Sequence, residues 1–93
     1  MIKSFSCKET AKIWEGEASR KLPSTIHDRA LRKLRQLDAA LTLEDLRNPP
    51  GNNLEALLGD KKGYYSIRIS GQWRLMFSLI NNHSFDVRII DYH

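Results

Sequence analysis

The sequence predicts an α+β fold in the order β-α-α-β-β-β, with two N-terminal helices packed on one face of an antiparallel, curved sheet. Three observations predict it. Apolar residues recur at helical spacing through residues 24–41, with Ile26, Ala30, Leu31, Leu34, Leu37 and Leu41 on one stripe. After residue 64 the period changes to two: Tyr65, Ile67 and Ile69, then Trp73, Leu75, Phe77 and Leu79, then Phe85, Val87 and Ile89. The separators between those runs, Ser-Gly-Gln and Asn-Asn-His-Ser, are turn chemistry too short for a crossover, so the strands must be antiparallel.

Each element follows in order. Residues 2–6 alternate and read as a short first strand. Residues 8–18 hold good helix formers, with Ala11, Trp14 and Ala18 on one side and Gly16 as a weak point. Pro23 marks a break and Ser24 is placed as the N-cap of the long helix, whose opposite face is basic. Residues 43–47 add a turn before Pro49-Pro50-Gly51 stops it. Residues 54–58 form a weaker strand ahead of Gly59-Asp60.

Ninety-three residues make one domain, 1–93, with a modest core. Cys7 is the one cysteine, which excludes an internal disulfide and a multi-cysteine metal site and fits a cytoplasmic protein. No segment approaches the ~20 apolar residues that span a bilayer, so no membrane partner is expected. The net charge of +4 is concentrated: Arg20, Lys21, Arg29, Arg32, Lys33 and Arg35 face one acid, Asp28, and residues 61–74 carry Lys61, Lys62, Arg68 and Arg74 with none. Such stretches fit a polyanionic partner or, equally, two solvated faces.

Register sharpens one pair. Keeping apolar positions on a shared face sets Ile69 opposite Trp73 across a three-residue Ser70-Gly71-Gln72 loop, and Arg68 opposite Arg74 on the face away from the core. Like charges directly across strands are locally unfavourable, as functional positions often are. The same reasoning pairs Leu79 with Phe85, puts Ile90 beside Arg74, and carries Asp91, Tyr92 and His93 toward the two arginines. Two guanidiniums can hold a phosphate and stabilise a phosphoryl transition state, and a His can move a proton near neutral pH. That set suits metal-free RNA cleavage, in which the 2′-hydroxyl attacks the adjacent phosphate. The histidines (His27, His83, His93) have no metal-ligand spacing, and no cofactor or metal is expected. Each side chain also has a plain structural reading: surface arginines, a frayed terminal His, and Trp14 and Trp73 in the core.

The opening IKSF, the basic helix, LEALLGD, GYYSIRISGQWRLMF and the terminal DYH together resemble the HigB toxins of the RelE/ParE toxin–antitoxin superfamily across essentially the whole chain. The resemblance implies a RelE-like microbial RNase fold and a ribosome-dependent mRNA endonuclease that cuts in the A site and inhibits growth. It implies a HigA-like helix-turn-helix antitoxin as partner, with operator DNA bound only through that antitoxin. Arg74 would contact the scissile phosphate, His93 would serve as acid or base, and Asp91 and Tyr92 would orient it or the RNA. Many members carry a His and a Lys where this chain has Glu55 and Leu58, which implies weak cutting, with Arg68 supplying charge. Lys61, Lys62, Arg29, Arg32 and Lys33 would bind RNA. Two other readings stay open: a ParE-like inhibitor of DNA gyrase and a non-catalytic RNA- or ribosome-binding module.

Overall fold

In the computed structural model, which describes residues 1–91, four antiparallel strands lie in sequential order: β1 (Glu55–Ala56), β2 (Tyr64–Ser70), β3 (Trp73–Ile80) and β4 (His83–Asp91). Two helices, α1 (Lys8–Trp14) and α2 (His27–Ala39), cover one face. Ala30, Leu34 and Leu37 of α2 meet Ile67, Leu75, Phe77, Val87 and Ile89 of the sheet, and Ile13 of α1 joins them. These are the alternating and helical stripes legible in the sequence, and their burial is what holds the register. Trp14 and Trp73 pack partly buried against this core.

The expected first strand is reduced to two parallel bridges, Ile2 to Ser84 and Phe5 to Val87, which run the chain start along the outer edge of β4. The first helix is shorter than its pattern. Gly16, at φ 85, ends it with paired bonds from the Gly16 N–H to the Ile13 carbonyl (3.0 Å) and from the Glu17 N–H to the Lys12 carbonyl (2.8 Å). Ala18 therefore lies exposed beyond the helix, and Thr10 and Ile13 are the buried positions instead. Thr10 also pins α1 to β4, because its Oγ1 accepts the edge N–H of Ile89 at 2.9 Å.

The long helix also differs at both ends. Ser24 opens a 3-10 turn rather than capping α2, whose N-cap position is Ile26 with no side-chain bond. At the other end Ala40 is extended and the Asp45 carboxylate accepts the N–H groups of Leu41 (2.9 Å) and Thr42 (3.2 Å). That cap turns the chain before Leu41 reaches the core, and Leu41 is left 63% exposed.

Both hairpins reach the expected strand pairing by an unexpected route. Gly71, at φ 54, and Gln72 form a two-residue turn that sets Ser70 opposite Trp73; a register shift at Ile69 then restores Arg68 opposite Arg74. In the second hairpin Asn81 and Asn82 (φ 50 and 67) form the turn, setting Leu79 opposite Ser84 rather than Phe85. A shift beside Asp86, itself at φ 54, restores Arg74 opposite Ile90. In each case a shorter turn plus one bulged residue equals the three-residue loop that the pattern predicts.

Candidate active site

The face of the sheet opposite the helices carries the site. Cross-strand partners put Glu55, Ser66, Met76 and Arg88 in one row across all four strands, and Arg68, Arg74 and Ile90 in the next row. Adjacent strands stand ~4.8 Å apart, so the first row spans ~14 Å from backbone to backbone. Between its ends opens a cleft of about 800 Å³ lined by Glu55, Leu57, Leu58, Lys61, Arg88 and Ile90 among others, with Met76 in its wall. One acid and two cations thus border a partly apolar hollow.

Arg74 sits beside that hollow, on the face that the register predicts, but it is not a surface arginine. It does face away from the helix-packed core, yet it is only 6% exposed. Its Nε donates to Ser66 Oγ at 2.8 Å, and its Nη2 donates to the Ser66 carbonyl at 3.2 Å and to the Asn53 carbonyl. The loop before β1 provides part of this cover. Asn53 adopts a left-handed conformation (φ 45) directly after Asn52, which is fully buried. The Asn52 amide donates to Gln36 Oε1 and the Leu46 carbonyl at 3.0 Å each, and its Oδ1 accepts from Lys33 Nζ. A chain of contacts therefore runs from α2 through Asn52 to the guanidinium of Arg74.

Arg68, directly opposite Arg74 in register, is exposed and serves a different place. With Arg29, Arg32 and Lys33 of α2, and with Ser70, it lines a second cleft of about 670 Å³, and no acid is among the described residues lining it. Arg29 Nη1 donates to Ser70 Oγ at 3.3 Å, and burial together with the neighbouring charge of Arg32 lowers the Lys33 ammonium from its ordinary value. The expected RNA-binding set is thereby split: Lys61 borders the first cleft, Arg29, Arg32 and Lys33 the second, and exposed Lys62 neither. Glu55 lies in the first cleft as an exposed carboxylate, and Asp91 is exposed opposite Trp73. Tyr92 and His93 lie outside the described residues.

Sequence reasoning missed Arg88, although the signal was present. Once Arg74 pairs with Ile90, Met76 must pair with Arg88 on the same open face. Arg88 also acts on its surroundings. Burial pushes the Cys7 thiol up, but hydrogen bonds from the Thr10 backbone and hydroxyl and the Glu9 backbone, with the charge of Arg88, outweigh it and lower the thiol. At the far end of the sheet Tyr64 donates to Asp86 Oδ2 at 3.0 Å, which with the carboxylate's charge raises the phenol. Among the described residues no group of three or more His, Cys, Asp or Glu is placed to hold a metal ion, and no helix is long and apolar enough to cross a membrane.

Comparison with known proteins decides the family. Residues 3–93 match the family described as RelE-like toxin of type II toxin-antitoxin system HigB. The chain belongs to the HigB toxin family. It is 42% identical over 82 residues to Toxin HigB-1 of Vibrio cholerae, covering 87% of this chain and 86% of that protein. It is also 33% identical to Endoribonuclease HigB of Proteus vulgaris over the full length of both. Among solved structures, a YoeB-YefM complex from Staphylococcus aureus matches with a TM-score of 0.62 at 17% identity, covering 100% of this chain and 98% of that one, which shows a shared RelE-like fold.

Proposed function

We propose that this HigB-family toxin is an endoribonuclease that cuts mRNA held in the ribosomal A site, and that the cut is made in the cleft on the open face of the sheet. One observation carries the reading: an acid, Glu55, and two cations, Lys61 and Arg88, border a hollow next to the anchored guanidinium of Arg74. RNA needs such a place. The 2′-hydroxyl loses its proton and attacks phosphorus, the bond to the 5′-oxygen breaks, and that oxygen leaves with a proton as a 2′,3′-cyclic phosphate forms. Arg74, held before substrate arrives, supplies positive charge to the phosphorane without reorganising. Glu55 and His93 carry the proton transfers, and Tyr92 and Asp91 orient them or the strand. The α2 cleft, with Arg68, Arg29, Arg32 and Lys33, holds further phosphates of the ribosome-bound RNA. The partner is a HigA-like helix-turn-helix antitoxin, through which alone the complex reaches operator DNA, and the toxin acts in the cytoplasm.

Primer extension on a defined mRNA in a reconstituted translation reaction, with and without ribosomes, tests this for wild type, Arg74→Lys and His93→Ala. New 5′ ends that need ribosomes and disappear in His93→Ala are expected. Intact mRNA together with inhibition of gyrase supercoiling would overturn the reading in favour of a ParE-like activity.

A further inference from the structure

We infer that Arg88 is a substrate-binding residue of the cleft, its guanidinium gripping a backbone phosphate of the RNA strand next to the one that is cut. This rests on the RNA-cutting reading above and adds a residue to it. Arg88 stands opposite Met76 on the open face, in the same row as Glu55 and at the far wall of the cleft from it. It is half-buried, and its Nε is enclosed without a hydrogen-bond acceptor among the described residues. It forms no ion pair with Glu55 or with any other acid among the described residues. Arg74 provides the contrast, since its Nε is satisfied by Ser66 Oγ.

A buried N–H without an acceptor is costly, and because the Nε is enclosed it is the Nη end of the guanidinium that a phosphate in the cleft meets, an end whose two N–H groups can take two oxygens of one phosphate. Among the described residues no carboxylate pairs with Arg88, Glu55 standing at the opposite end of the row, and its neighbours Met76 and Ile90 give an apolar surface on which a base or ribose can lie. A strand crossing the cleft would then meet Arg74 on one row and Arg88 on the adjacent row, two residues (~7 Å) further along β3.

The test uses the full chain and ribosome–mRNA complexes stalled with a defined A-site codon, measuring kcat and KM for cleavage over a range of salt. Arg88→Gln is expected to raise KM about tenfold with kcat changed less than about threefold, and to flatten the salt dependence by about 0.7 in log–log slope, one phosphate contact to a single strand. Arg88→Lys should recover most of that slope. Arg35→Gln removes an equal charge from the exposed side of α2, outside both clefts, and should leave KM and slope at wild-type values. Arg88→Gln with wild-type KM and slope would overturn the assignment of Arg88 alone. A wild-type chain that cuts no ribosome-bound RNA would instead overturn the RNA reading and this inference together.

Discussion

Arg74→Ala should cost this protein stability before any question of activity arises. The side chain donates to Ser66 Oγ, to the Ser66 carbonyl and to the Asn53 carbonyl, and both ends of that network are covered: Ser66 is 0% exposed and Arg74 6%. A hydrogen bond from a charged donor contributes ~1.5–3 kcal/mol net, and acceptors left unpaired in a buried place add to the loss. Two of these bonds to described residues share Nη2, so at least roughly two bonds' worth is lost, partly offset by no longer holding a charge out of water. The net is about 2–4 kcal/mol against a total stability of ~5–15 kcal/mol. At ~4–8 °C per kcal/mol for a domain of this size, the melting temperature should fall by roughly 10–30 °C. Arg68→Ala, at the position directly opposite but exposed, should stay within ~0.5 kcal/mol. Urea unfolding followed by circular dichroism measures both. A loss under ~1 kcal/mol for Arg74→Ala, with an unchanged m-value, would mean that Ser66 and Asn53 do not anchor the guanidinium.

Three further outcomes are expected. Asn52→Ala removes a fully buried amide bonded to Gln36, Lys33 and the Leu46 carbonyl and should cost ~2–3 kcal/mol in urea unfolding; a neutral result would refute its role in fixing the loop over Arg74. The Glu9 carboxyl is held below its usual value, first by the Ser19 hydroxyl at 2.7 Å, so its stabilisation is complete above the ordinary carboxylate range and disappears as pH falls through the lowered value. Glu9→Gln should therefore lose stability relative to wild type at pH 7 and converge with it in acid, and parallel curves down to pH 3 would contradict the linkage. Glu55→His should speed ribosome-dependent cleavage, by ~10-fold or more if imidazole is the better proton acceptor near neutral pH; no gain would mean that Glu55 does not limit the rate.

Much of this was legible because burial enforces periodicity. The stripe Ala30, Leu34 and Leu37 and the alternation Ile67, Leu75, Phe77, Val87 have one face each to bury, and that fixes which residues face the helices. Turn lengths were not legible: a two-residue turn with one bulged residue and a three-residue loop leave identical pairing further along the strands. The shortened first helix was half legible, since Gly16 marked the stop but the bond between Thr10 and Ile89, which sets the buried side, is non-local. For the site, the face of Arg74 followed from register while its burial did not. Part of that burial comes from the loop before β1, whose Asn53 carbonyl accepts from Arg74, and nothing in its local pattern says where such a loop will lie.

The placement of two like charges across adjacent strands has a physical resolution once their surroundings differ. Arg74 is turned toward Ser66 and Asn53, where two carbonyl oxygens and a hydroxyl solvate it, whereas Arg68 extends into the open cleft beside α2. Near the surface, with an effective dielectric of ~20 or higher, the residual repulsion is small compared with what the three acceptors return to Arg74. The pair therefore does not close on a shared anion. It divides the work, with Arg74 as the fixed charge beside the hollow and Arg68 as part of the basic surface of α2. With Arg68 turned to the α2 cleft, Arg88 is the arginine that lines the cleft beside Arg74, the second guanidinium that the proposed cutting site would use.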